Sequence, residues 1–354
     1  GDNGETVDFT RDPNAVLDLV AVGADTWTRT HADQIDTVLS AQGSALLVGS
    51  RYHNYLRGFQ TDAAGQLVAL DAQAYLQVEG DRYAIDGVTG ASEQVLSALW
   101  PVNEGGQLRL YSQAQKYSGD SASTGVGLYV SDVFGLDALP EQLFGQADAS
   151  QYIAYGAIQA TAVSADGRLV AIGGSDRALR LYDTDDLSTP LASVTLDMTV
   201  RALAFSDDGA TLYVGGATIV GQVAALQTSS LAEIWRYESD RTPRKVLATA
   251  SGVLALMPVG QTLLYILPQD GADPAVVEVE LPELSVNMAL NADGDRLAVA
   301  GFDKTIELIS LATGSRATVK LEKSPSGIAF DEHGTLWALS AQTLSGFTAP
   351  AGFN

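Results

Sequence analysis

Ala160-Thr161-Ala162-Val163-Ser164-Ala165-Asp166-Gly167-Arg168-Leu169-Val170-Ala171-Ile172-Gly173-Gly174 decides the fold. Two short apolar runs flank a polar turn that ends in glycine. The turn needs a positive φ, which Gly adopts freely, and the preceding Asp bonds its own backbone, so Asp-Gly marks a tight hairpin. Runs this apolar fit strands covered on both faces.

The pattern recurs. Arg201-Ala202-Leu203-Ala204-Phe205-Ser206-Asp207-Asp208-Gly209 leads into Thr211-Leu212-Tyr213-Val214-Gly215-Gly216. Asn287-Met288-Ala289-Leu290-Asn291-Ala292-Asp293-Gly294 leads into Arg296-Leu297-Ala298-Val299-Ala300-Gly301, and Gly327-Ile328-Ala329-Phe330-Asp331-Glu332-His333-Gly334 into Leu336-Trp337-Ala338-Leu339. Weaker copies place turns at Gly43, Gly106 and Gly260, the last between strands in Val253 to Leu267. The seven turn glycines are then 63, 61, 42, 51, 34 and 40 residues apart. Seven copies over residues 36–354 give about 46 residues each, close to a four-stranded propeller blade. The two wide intervals imply insertions in blades one and two, and the interval of 34 barely holds four strands.

Gly173-Gly174-Ser175-Asp176-Arg177-Ala178-Leu179-Arg180-Leu181-Tyr182-Asp183 resembles the third strand of a WD40 repeat, with Tyr182 where Trp usually stands. Gly301-Phe302-Asp303-Lys304-Thr305-Ile306-Glu307-Leu308-Ile309, ending in Leu311-Ala312-Thr313-Gly314, is similar. The opening Gly-His of such repeats and the Trp-Asp dipeptide are absent from the sequence, so the chain resembles a looser WD40-like or YVTN-type bacterial propeller. The expected fold is all-β: one closed propeller of about seven four-stranded blades over residues 15–354, behind a flexible acidic leader over 1–14. A ring of sheets needs its two ends joined, or edges stay exposed. Asp25-Thr26-Trp27-Thr28-Arg29-Thr30 has strand composition and is expected to serve as the outer strand of the last blade, beyond Thr343–Phe347. Ala15 to Val22 is the alternative.

Composition narrows the function. The 354 residues are 46% hydrophobic, with 35 glycines and 11 prolines spread along the length, which favours frequent turns. The apolar runs are strand-sized, too short to span a bilayer as helices. Forty-three acids against 20 basic residues give a net charge of −23, which opposes nucleic-acid binding and docking on anionic lipid. With no cysteine, disulfides, thiolate metal sites and covalent haem are excluded. A start at Gly1 would suit a lipoprotein cut after its lipidated Cys, giving an extracytoplasmic, lipid-anchored monomer; a cloning scar explains Gly1 equally well.

Loops between second and third strands, and between blades, gather at one end of a propeller; that much the resemblance implies. Arg51, Tyr52, His53 and Tyr55 form the densest cluster of recognition-type side chains there. Lys116 and Tyr117 lie in the insertion from Gln113 to Gly125. Arg177, Arg244, Lys245, Lys304 and Lys323 add cations to an otherwise acidic body, a pattern that draws anionic ligands, although Asp-Arg and Asp-Lys are also ordinary turn pairs in this repeat. No G-x-S-x-G, P-loop or G-x-G-x-x-G occurs, and Asn291-Asp293-Asp295 lacks the rest of a calcium loop, so no cofactor is expected and calcium is not indicated. The four Trp read as core. The leading expectation is a non-catalytic propeller that binds another protein. Its rivals are a lactonase- or glycosidase-like enzyme, with convergent channel carboxylates and a divalent ion, and a small-ligand or glycan binder with Tyr rings beside the insertion.

Overall fold

The repeated hairpin is built on the first polar residue of its turn. Ser164 Oγ accepts the Leu169 amide at 2.9 Å and donates to Asp166 Oδ1 at 2.6 Å. Ser206 does the same with the Thr211 amide at 2.9 Å and Asp208 at 2.6 Å. In the other clear copies Asn291 Oδ1 accepts the Arg296 amide at 2.8 Å and Asp331 Oδ1 the Thr335 amide at 2.9 Å. The glycines ending these turns, Gly167, Gly209, Gly294 and Gly334, have φ of 74°, 68°, 72° and 76°, the left-handed backbone the sequence called for.

The computed structural model describes residues 7–26, 36–42, 45–50, 55–62, 64, 66–68, 75–77, 94–104, 107–117, 123–132, 141–142, 158–184, 189–257, 261–269, 272–281 and 284–353. Their secondary structure is all β, in seven small sheets. Sheet one holds Asp36–Gln42, Ala45–Ser50, Tyr55–Thr61 and Leu67–Val68, with Tyr75–Gln77 also paired to its third strand. Sheet two holds Gln94–Glu104, Gln107–Tyr117, Ser123–Asp132 and Glu141–Gln142. Sheet three is Ile158–Val163, Leu169–Gly174, Ala178–Asp183 and Ala192–Thr195; sheet four is Thr199–Phe205, Thr211–Ala217, Gly221–Gln227 and Glu233–Ser239. Sheet five is Lys245–Thr249, Gly252–Met257, Thr262–Gln269 and Ala272–Glu280; sheet six is Ser285–Leu290, Arg296–Gly301, Thr305–Ser310 and Arg316–Lys320. Sheet seven is Gly327–Phe330, Leu336–Ser340 and Thr343–Thr348, completed by Val20–Thr26 from the other end of the chain. No helix among the described residues is long and apolar enough to cross a membrane.

Neighbouring sheets pack face to face through their first strands. Sheet three meets four, four meets five, five meets six, six meets seven, seven meets one, and one meets two. Separate apolar cores fill these junctions: Leu179, Leu181, Leu212 and Leu226 between sheets three and four, Val223, Val253 and Ile266 between four and five, and Trp337, Leu46 and Val48 between seven and one. The described chain is therefore a succession of thin sheets, of which sheets one and four to seven each pack between two neighbours. This is a propeller-like architecture.

The N-terminal segment has two tasks. Val20–Thr26 runs antiparallel to Thr343–Thr348, with Val20 opposite Thr348 and Thr26 opposite Thr343. Joining of the chain ends is observed, but the strand straddles the two expected segments, and Trp27 to Thr30 lie outside the described residues. Before it, Leu17–Asp18 pairs in parallel with Ala317 and Thr318 at the edge of sheet six. Within the stretch expected as a flexible leader, Val7, Phe9 and Arg11 lie against the body. Phe9 is 5% exposed within the core of sheets five and six, and its carbonyl accepts from Arg316 Nη2 at 2.5 Å. Arg316 Nη1 also pairs with Glu307 Oε1 at 2.7 Å, and Arg11 Nε reaches Glu307 Oε2 at 3.2 Å. An aromatic anchor and two arginines that share one buried carboxylate hold a segment whose acidic composition alone suggests mobility.

Sheet five corrects the expected register. Gly260 lies outside the described residues, but the strands expected to flank its turn, Gly252–Met257 and Thr262–Gln269, are the second and third of the sheet, whereas the inner turn joins Thr249 to Gly252 through Ala250-Ser251. This turn lacks Asp-Gly, so the sequence pattern slid forward by one strand; the true turn evens out the two irregular intervals around it. The insertion in blade two is a lengthened hairpin, with Tyr117 opposite Ser123.

Candidate functional site

The inner strands of sheets one and three to seven line one cavity of about 710 Å³. Leu39 to Ala41, Gln159 to Val163, Arg201 to Phe205, Arg244 to Ala248, Asn287 to Leu290 and Ile328 to Phe330 form its wall. Most of these are small or aliphatic. Polar chemistry collects where the inner strands begin: Gln159, Arg201, Arg244, Lys245 and Asn287. A second cavity of about 710 Å³ opens beside this end and shares Gln159, Arg201 and Arg244 with the first, adding Asp240 to Pro243.

Backbone irregularity sets the aim of two of these side chains. Ile158 pairs with Gly174 and Ala160 with Gly173, leaving Gln159 as an extra residue; Val200 pairs with Gly216 and Ala202 with Gly215, leaving Arg201 likewise. A β-bulge turns its extra side chain out of the strand's alternation. Both bulged residues line both cavities.

Arg201 and Arg244 are exposed, and neither side chain has a hydrogen bond or ion pair among the described residues. Elsewhere on this acidic body Arg180 pairs with Asp176, Arg236 with Asp197 and Glu233, Arg316 and Arg11 with Glu307, and Arg241 approaches Asp240 at 3.8 Å. Lys245 Nζ donates to Asn287 Oδ1 at 2.6 Å and to the Met288 carbonyl at 2.8 Å, bridging the inner strands of sheets five and six. Burial among these strands pushes its ammonium down to about 8.

Carboxylates are sparse in this lining. Asp207 lies beyond the far end of its inner strand and Asp240 at the near end, so the paired acids of a glycosidase do not face each other among the described residues. Nor, among the described residues, do any three His, Asp or Glu side chains converge in a metal-binding group.

Of the residues singled out from sequence, Arg244 and Lys245 line the cavity. Arg177 and Lys304 sit at the same end, in the second-to-third turns of sheets three and six, outside the lining. Their φ values of 62° and 74° belong to turns in which Asp176 Oδ1 accepts the Ala178 amide and Asp303 Oδ1 the Thr305 amide. Lys323, also outside the lining, lies between sheets six and seven, and its carbonyl accepts from Ser340 Oγ at 2.9 Å. Arg51, Tyr52 and His53 lie outside the described residues; Tyr55, Lys116 and Tyr117 are placed as strand backbone only. Arg201 and Gln159 were missed because a bulge is a matter of register between strands, and each residue reads as an ordinary strand position.

The same end carries apolar side chains. Among the eight large apolar residues exposed in the described chain, Ile219 (100%), Val220, Phe302 (57%) and Leu284 lie in loops here. The Phe302 amide donates to the Leu284 carbonyl at 3.2 Å, which sets these two loops side by side.

No family model and no curated protein matches the chain. A crystal structure of Raptor from Chaetomium thermophilum is similar over 98% of this chain, with a TM-score of 0.69 and 11% identity. The chain spans 30% of the length of that structure. At this identity the likeness speaks for the fold alone.

Proposed function

We propose that the chain is a single closed seven-bladed propeller that serves as a protein-binding scaffold, through the end of the ring where the inner strands begin. The observation that carries the reading is the exposure of Ile219, Val220, Leu284 and Phe302 in loops at the end of the sheets where the inner strands begin. Exposed apolar side chains that share one end of a strongly charged body, with those of Leu284 and Phe302 in adjoining loops, mark an interaction site better than scattered ones do. Six consecutive face-to-face junctions and the N-terminal strand of sheet seven support the ring, which then closes between sheets two and three.

A photo-crosslinking side chain at Phe302 and, separately, at exposed Asp293 in a turn at the opposite end tests this in native extract. The reading expects one discrete protein adduct from Phe302 and none from Asp293. Equal labelling from both ends, or none from either, contradicts it.

A further inference from the structure

We propose that the cavity mouth receives an acidic peptide segment of the partner, its carboxylates pairing with Arg201 and Arg244 while its apolar side chains settle on Phe302, Leu284 and Ile219. The inference rests on the protein-binding reading above and names the partner's chemistry.

A chain with 43 acids and 20 basic residues has carboxylates to spare, and five other arginines find one close by. Arg201 and Arg244, like Arg168, Arg177 and Arg296, form no ion pair among the described residues, and of these five they are the two that line the cavities. Each guanidinium presents a planar fork of donors suited to a carboxylate. The single acid of the second cavity's lining, Asp240, has Arg241 beside it at 3.8 Å, and Arg241 Nη1 also donates to Thr262 Oγ1 at 2.8 Å. That leaves the two forks of Arg201 and Arg244 for an outside anion.

A one-residue bulge recurs near the start of the inner strand in five of the seven sheets, and in sheet four the extra residue, turned away from the normal alternation, is Arg201. Lys245 is tied to Asn287 and Met288, and its ammonium adds positive potential behind the two arginines. Gln159 and Asn287 supply amides around them.

The exposed apolar side chains select a peptide over a small anion. A lone phosphate or small carboxylate would use the guanidinium groups and leave Phe302, Leu284 and Ile219 wet. A segment carrying both acidic and apolar residues satisfies both features of this end. On a body of net charge −23, a cationic mouth is where an acidic segment meets least repulsion.

The test is selection of a displayed library of random short peptides on the full chain, followed by anisotropy titration of the enriched peptides. The comparison is with the Arg201→Gln/Arg244→Gln double variant and with Phe302→Ser. All three positions are exposed, so thermal melting of the variants should match the parent. The proposal expects enriched peptides to be net acidic with a large apolar residue. Their affinity should fall roughly tenfold or more per guanidinium removed, and fall in Phe302→Ser as well. Enrichment of neutral or basic peptides, no enrichment, or equal binding by the double variant overturns it. So does inorganic phosphate that binds as tightly as the peptides, which would make the mouth a small-anion site. If the acidic peptides fail while the Phe302 crosslink persists, this inference falls and the protein-binding reading stands; loss of both removes the reading too.

Discussion

The indole Nε1 of Trp337 donates to Asp331 Oδ2 at 2.9 Å, and both side chains are buried. Asp331 Oδ1 meanwhile accepts the amides of His333 and Thr335, each at 2.9 Å. One carboxylate therefore ties the inner turn of sheet seven to the Trp that fills the junction with sheet one. Gly346 makes room for the ring, since a Cβ there would lie 2.8 Å from it. Trp337→Phe leaves Asp331 Oδ2 buried without its donor and opens a gap beside Gly346. A loss of about 3 kcal/mol is expected in urea unfolding; a change within error would contradict the assigned role.

Ser206 shows the cost of the shared turn device. Its hydroxyl accepts from Thr211 and also holds the Asp208 carboxyl below the ordinary carboxylate value. Ser206→Ala should cost about 1 kcal/mol. Gly209→Ala should cost a similar amount, through its φ of 68° and not through crowding, because no atom lies within 4 Å of the added Cβ. Chemical denaturation of the two single variants checks both values.

At the N-terminal segment the prediction is larger. Glu307 is completely buried between Arg316 and Arg11. Glu307→Gln strips Arg316 of its counter-charge while leaving it buried, and a loss of about 3–5 kcal/mol is expected. Phe9→Ala empties a site in the core of sheets five and six and should cost about 3 kcal/mol. Faster proteolysis within residues 7–18 should accompany both. An unchanged cleavage rate would show that this segment is not held as described.

Lys245 gives a pH signature. Its folded-state value of about 8 lies below the roughly 10.4 of a free Lys, because burial disfavours the ammonium. Between these values the unfolded chain binds more protons than the folded one, so this residue's contribution makes stability rise with pH through that window. Below pH 8 the full penalty applies. Comparing unfolding free energies at pH 7 and 10, the parent should gain on the order of 2 kcal/mol relative to Lys245→Met. Parallel pH curves would contradict the assignment.

Much of the fold was legible because each hairpin carries its own instructions. Ser164 to Gly167 and Ser206 to Gly209 encode a turn within a few residues, and repetition of that local code gives the sheets. Blade five escaped because Ala250-Ser251 closes a tight turn without Asp-Gly. Docking of Phe9 and Arg11 escaped for a different reason: their partners, Arg316 and Glu307, lie about three hundred residues away in sequence, and nothing local announces them. The site was half visible. Arg244 and Lys245 stood out as cations in a loop between blades, whereas Arg201 owes its direction to strand register.

The account depends most on Val20–Thr26 completing sheet seven and so joining the two ends of the chain. Thr26 Oγ1 and Thr343 Oγ1 lie 3.0 Å apart on directly opposed residues, and the chain has no cysteine of its own. Thr26→Cys/Thr343→Cys therefore introduces the only two thiols. Under mild oxidation of the folded monomer the account predicts rapid, complete formation of an intramolecular disulfide, with stability raised by a few kcal/mol, as closing so long a loop should do. Thiols that stay free, or that link only between molecules, would contradict it.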